Sequence, residues 1–214
     1  MTSLAHLFDN NRAWAERMNR ERPGFFEQLT HRQTPAYLWI GCSDSRLPPN
    51  EIIGLLPGDL FVHRNVANLV LHTDLNCLAV IEYAVVTLSV QHIIVCGHHG
   101  CGGVKAALQR SRQGLAANWL QDLRNLAARN QPVLSRQPDD GQRWDRLCEL
   151  NVIEQVHSVC DTLIVQQAWD RGQALTVHGW IYRLDNGLLQ DLGVSADSYE
   201  TAAARREAAL AALS

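Results

Sequence analysis

His92-Ile93-Ile94-Val95-Cys96-Gly97-His98-His99-Gly100-Cys101-Gly102-Gly103 passes from an unbroken apolar run into a loop of glycine, histidine and cysteine. The apolar run, stopped by Gly97, reads as a buried strand, and Gly102-Gly103 leads into a helix starting near Val104. Working outward, residues 36–40 form a second apolar run stopped by Gly41, and Leu60-Phe61-Val62 a third, after the turn Pro57-Gly58-Asp59. Between these strands and the quoted one, residues 74–90 are apolar on nearly every side of a helical projection, with Glu82 the chief interruption. A helix of that kind is covered on more than one face, and another subunit could supply the second cover. Strand, helix, strand in this order favours a parallel sheet.

Further along, helical patterns at 118–129 and 144–159 are separated by a polar, proline-containing stretch, 131–142, that reads as a surface loop. Residues 174–180 are a fourth strand candidate, 187–192 a short fifth, and 199–213 an alanine-rich helix. Before the first strand, apolar positions in 4–22 suit one or two amphipathic helices ended by Pro23-Gly24. The expected class is therefore α/β, with a central, mainly parallel sheet flanked by helices. One domain is expected over 1–214, divided into an N-terminal helical arm (1–30), an α/β core (31–192) and a C-terminal helix (193–214).

The chain's 214 residues, 46% of them hydrophobic, can bury one full core. Nineteen basic residues nearly balance 22 acidic ones and Lys105 is the only lysine, so no basic tract offers itself to nucleic acid or anionic lipid. A small neutral or anionic metabolite is the expected partner. The first twenty residues scatter charges among apolar positions, without a signal-peptide core, and no uncharged run reaches membrane-spanning length. Six cysteines in a chain of this size, with no secretion signal, argue for reduced thiols and a cytoplasmic location.

Cys42-Ser43-Asp44-Ser45-Arg46 follows the first strand directly, and His98-His99-Gly100-Cys101 follows the third. In an open parallel sheet, ligands gather beyond the carboxyl ends of the strands, so the two segments can face one site. Two thiolates and one imidazole leave a fourth tetrahedral position open on zinc, which is a catalytic rather than a structural arrangement. Cys77, Cys96, Cys148 and Cys160 lie in apolar segments and read as core residues. Asp44 and Arg46 are placed to pair with each other, or Asp44 could instead take the open metal position. His99 could support the site or simply be solvated.

With Gly41-Cys42-Ser43-Asp44-Ser45-Arg46, His63-Arg64-Asn65-Val66-Ala67-Asn68 and Gly97-His98-His99-Gly100-Cys101-Gly102-Gly103 in order, the chain resembles the β-class carbonic anhydrases, particularly the bacterial type, from about residue 23 to 192. The resemblance implies one Zn2+ per chain, held by Cys42, His98 and Cys101, with Asp44 and Arg46 as catalytic dyad. It implies reversible hydration of carbon dioxide to bicarbonate in homodimers or homotetramers, built partly by the N-terminal helices. Gln33, Phe61, Val66, Gly102 and Tyr83, the last from a partner subunit, would line the carbon dioxide pocket. Trp39, Arg64 and Tyr182 match a separate bicarbonate site that, in one subgroup, favours an inactive state with the aspartate on zinc. His99 is a departure, since tyrosine is frequent there. Two rivals remain at this point: a related enzyme acting on another small linear molecule such as carbon disulfide, and a zinc-stabilised scaffold. The scaffold would be expected to lack Asp44 or Arg46. A redox role is weaker, because no Cys-x-x-Cys pair occurs.

Overall fold

The computed structural model describes residues 4–31, 33–110 and 114–213. The chain divides into two compact units, Met1–Thr34 and Pro35–Ser214. In the first unit, α1 (Ala5–Glu21) and α2 (Phe25–His31) are joined at Gly24, whose φ of 80° is the left-handed turn that breaks the helix. Trp14 and Phe25 pack edge-on against Phe26, at 5.5 and 5.2 Å between ring centres. Leu4, Leu7 and Phe8 stay exposed.

The second unit is built on β1 (Tyr37–Cys42), then α3 (Pro49–Ile53), β2 (Leu60–Asn65) and α4 (Leu75–Glu82). It continues through β3 (His92–His98), α5 (Gly102–Leu108), α6 (Gly114–Trp119), α7 (Gln121–Arg129) and α8 (Gln131–Leu134). The long α9 (Asp140–Cys160) follows, then α10 (Leu163–Asp170), β4 (Thr176–Arg183), β5 (Leu188–Asp191) and α11 (Tyr199–Ala212). The strands run in the order β2-β1-β3-β4-β5, the first four parallel and β5 antiparallel to β4. The central β1 and β3 are buried along almost their whole length, which is why both read as continuous apolar runs.

One sheet face lies on the main core with Leu38, Ile40, Ile93, Val95, Val177 and Ile181. The other carries a small cluster around Trp39, Ile94 and Cys96, with Trp180 and Tyr182 against it. Helix α9 sits on the main-core face, and closely. A methyl group on Gly97 or Gly179 would stand 2.5 Å from Val152 or 2.4 Å from Val194, respectively. Helix α11 packs on α9, so the C-terminal helix belongs to this unit.

Three expectations need correction. The helix at 74–90 is regular only to Glu82 and continues through a wider π turn over Tyr83–Thr87, leaving Leu75, Tyr83 and Val86 exposed. The stretch 131–142 is not a surface loop: Pro132 starts the short α8, and its last residue, Leu134, is fully buried. Pro is tolerated in a helix's first turn, where its missing N–H has no partner to lose. Helices α3 and α10 were not expected; each is short, and α10 is marked chiefly by Thr162, whose hydroxyl accepts from the Val165 N–H. Among the described residues, no helix is long and apolar enough to cross a membrane.

Candidate metal centre

The parallel register brings the carboxyl ends of β1 and β3 side by side, with Gly41 opposite Cys96. Cys42 ends β1, His98 ends β3, and Cys101 stands at the N-terminus of α5. Their ligand atoms lie within 4.8 Å of one another, and among the described residues this is the one such group of three or more metal-binding side chains. All three are buried, although Cys42 is the last residue of a strand rather than part of the loop.

The donor set fits a tetrahedral zinc ion. The two sulfurs are 3.8 Å apart, about the separation set by two zinc–sulfur bonds of about 2.3 Å meeting at a tetrahedral angle. The His98 Nδ1–H donates to the His99 carbonyl at 3.0 Å, leaving Nε2 as the free lone pair, and that buried atom has no hydrogen-bond partner. An orphaned buried nitrogen is costly unless something binds it. Without metal, the sulfurs share a proton. The Cys42 thiol is lowered because the Cys101 thiol donates to it, with the backbone near Asp44 and Ala67 adding to this, against the opposing effect of burial. Cys101, which keeps the shared proton and is itself buried, is pushed up. Metal binding requires that proton to leave.

Asp44 lies outside the three-ligand group and is clamped by Arg46. Arg46 Nε donates to Oδ1 at 2.9 Å, Nη2 to Oδ2 at 2.6 Å, and the Arg46 backbone N–H to Oδ1 at 3.0 Å. This fork holds the carboxyl well below the usual carboxylate range. Asp44 Oδ2 nevertheless stands 3.8 Å from His98 Nε2, beside the open position.

Of the expected pocket residues, Phe61 and Tyr83 of the same chain lie ring against ring at 5.8 Å. Val66 is partly exposed and Gly102 opens α5; a methyl group on the adjacent Gly103 would meet Val66 at 2.9 Å, so this loop and helix are in close contact. Gln33 belongs to the first unit, outside regular secondary structure after α2. Trp39, Arg64 and Tyr182 occupy one sheet face: Arg64 is opposite Gly41, two residues beyond Trp39, while Tyr182 packs in the Trp39 cluster. The Arg64 Nε donates to the Cys42 carbonyl at 2.8 Å and Nη2 to the Asp44 carbonyl.

His99 now has a partner. Its Nε2 lies 3.1 Å from Glu149 Oε1, and Glu149 also accepts from Arg146. Sequence reasoning missed this contact together with Trp144, Asp145, Asn151 and Gln155, all on α9. The available signal was Asn151 and Gln155, four apart and so on one face of the helix, among Leu147, Leu150, Val152 and Val156.

Comparison with known proteins follows the same lines. Residues 37–189 match the protein family described as carbonic anhydrase. A carbonic anhydrase of Emericella nidulans is 48% identical over 188 residues, 88% of this chain and 82% of that one. One of Pseudomonas aeruginosa is 34% identical, over 80% of this chain and 79% of its own. Among solved structures, the Coccomyxa β-carbonic anhydrase in complex with acetazolamide superposes with a TM-score of 0.90 at 40% identity, covering 95% of this chain and 92% of that one. One of the two tetrameric β-carbonic anhydrases of Sordaria macrospora does so at 0.86 and 39%, covering 90% and 98%.

Proposed function

The chain belongs to the β-class carbonic anhydrase family, zinc enzymes that hydrate carbon dioxide, and on that premise we propose a division of labour among its residues and a bicarbonate switch. The observation that carries the reading is the open three-ligand cradle of Cys42, His98 and Cys101 beside an Asp44 held by Arg46. When bound there, zinc supplies a Lewis acid that makes water nucleophilic near neutral pH, at a pKa of about 7. Asp44, kept ionised by Arg46, accepts the hydrogen bond that orients the attacking oxygen. Phe61, Val66 and Gly102, with Tyr83 reaching in from a partner subunit, give uncharged carbon dioxide an apolar resting place beside it. The net reaction adds water to carbon dioxide and yields bicarbonate and a proton, which passes to buffer.

In the proposed switch, bicarbonate binds Arg64 with the ring donors of Trp39 and Tyr182, a donor set suited to a small oxyanion. Arg64 supports the reading by what it already holds. An anion competing for its guanidinium weakens its grip on the Cys42 and Asp44 carbonyls and so loosens the backbone that presents Asp44 to Arg46. Asp44 is then free to take the open ligand position, and linkage requires bicarbonate to inhibit in proportion to its occupancy. The bacterial type gains no support from the relatives named above, of which the fungal one is the more similar.

Assembly as a homodimer or homotetramer is part of the proposal, supported by the exposed Leu7 and Phe8 and by β2, which pairs with β1 alone among the described residues. A cytoplasmic location is supported by six free cysteines. Stopped-flow hydration of wild type, Trp39→Ala and Arg64→Ala across pH, with and without added bicarbonate, tests the switch. Wild-type activity should rise as pH passes from about 7 to above 8, and bicarbonate inhibition should weaken in both variants. Inhibition unchanged in both would leave these three residues structural.

A further inference from the structure

Helix α9 touches the loop that carries Cys101 and the 67–70 segment that follows β2, the strand paired with the Cys42 end of β1. At its first turns, the Trp144 indole N–H donates to the Cys101 carbonyl at 2.8 Å, and the Asp145 carboxylate accepts from the Gly100 N–H at 3.1 Å. One turn on, Glu149 meets His99, whose carbonyl orients His98. Further along, the Asn151 side-chain amide donates to the Ala67 carbonyl at 2.9 Å, and its own oxygen accepts from Gln155 at 3.0 Å. Gln155 accepts in turn from the Val70 N–H at 2.7 Å.

Ala67 is where these contacts matter most. Its φ of 67° and that of Asn68, 49°, form two successive left-handed residues without a glycine, a conformation that persists only where its surroundings hold it. Ala67 is fully buried and Asn151 is 1% exposed, and the segment they fix begins at Asn65, which is paired with Cys42 and accepts from the Ser43 N–H at 2.8 Å. Helix α9 itself cannot slide, because Val152 rests on Gly97 and Gly179 of β3 and β4.

We propose that α9 is the positioning element of the metal centre, with Asn151 fixing the 65–70 segment against Cys42 and Trp144 fixing the Cys101 loop. The inference rests on the metal-site reading and deepens it. Asn151 and Trp144 are positioning residues: neither is a metal ligand, and each acts through a backbone carbonyl next to or within a ligand-bearing turn.

The test uses the full-length protein loaded with zinc, and separately with cobalt(II), whose thiolate charge-transfer and d–d absorption report the ligand geometry. Asn151→Leu keeps the volume and removes the donor; Trp144→Phe keeps a ring and removes the N–H. Val159→Ala, buried on the same helix, is the control for general loosening of the core. In each of the first two variants, zinc release to a chelator should be faster by on the order of tenfold, and the cobalt spectrum should shift. The control should lower Tm yet leave both readouts at wild type. Should Asn151→Leu fail to fold, Trp144→Phe carries the test alone. Wild-type release and spectra in the folded variants, or equal changes in the control, overturn the positioning role. A wild-type protein that binds no zinc overturns the metal site itself and this proposal with it.

Discussion

Cys42 and Cys101 differ from the other four cysteines in what surrounds their sulfurs. Burial, helped by nearby Asp74 and Asp161, raises Cys77 and Cys160 to about 12, and burial pushes Cys96 and Cys148 up as well, so these thiols stay protonated at pH 7. Cys42, lowered by the Cys101 thiol that donates to it, is more readily deprotonated than any of those four. Iodoacetamide added at pH 7 to the zinc-stripped protein should therefore label Cys42 before any of those four, and zinc should protect it. Peptide mass spectrometry showing Cys77 or Cys160 labelled first would contradict this. The dyad makes a second prediction. Arg46→Ala should keep its zinc while activity falls on the order of a hundredfold. Arg46 depresses the Asp44 pKa, so the stability it contributes is present above the unfolded carboxyl value of about 3.9 and is lost as pH falls through the depressed one. The Tm gap between wild type and Arg46→Ala should thus hold steady from about pH 5 to 8 and narrow below about pH 4; a gap that widens in acid would contradict the assignment. Residue types and spacing made the candidate group of Cys42, His98 and Cys101 legible in sequence, but not the state of Asp44. Pairing with Arg46 and binding metal are both open to a carboxylate in that turn, and only the fold decides.

At the scale of elements, the central strands β1 and β3 were legible because their apolar runs are short and followed by Gly41 and Gly97, and the ends of those two runs pointed to the candidate site. The helices were less so. The 144–159 pattern marked α9 as a helix, yet its hydrogen bonds to the metal loops depend on which way Asn151 and Gln155 face, which periodicity alone does not give. Helix α3 is five residues long, too short for a period to show. The contact between α9 and the sheet supplies a third prediction. Gly179→Ala would place a methyl group 2.4 Å from Val194 and 2.9 Å from Val156, an overpacking that costs about 1–3 kcal/mol. Denaturant unfolding should show that loss with zinc content unchanged, and an unaltered midpoint would mean that the helix–sheet spacing has slack.

Across the described residues, the uncovered apolar surface includes the outer edge of β2, with Val62 38% exposed, and Leu7 and Phe8 of the N-terminal unit, the latter 67% exposed. Unpaired strand edges and exposed apolar side chains of this size are sites of association. The wild type should sediment as a dimer or tetramer, and Leu7→Glu combined with Phe8→Glu should shift it to smaller species; an unchanged distribution would remove the arm from the interface. The sequence placed a helical arm that needed something to lie against, but a single chain does not carry its partner. The central claim is that this fold exists to hold a catalytic zinc ion, and the most direct measurement is metal analysis of the purified wild type and Cys101→Ser alongside stopped-flow carbon dioxide hydration. One zinc per chain with rapid hydration in the wild type, and loss of both in Cys101→Ser, is the predicted result; full zinc occupancy in Cys101→Ser, or a zinc-loaded wild type that does not hydrate carbon dioxide, would contradict it.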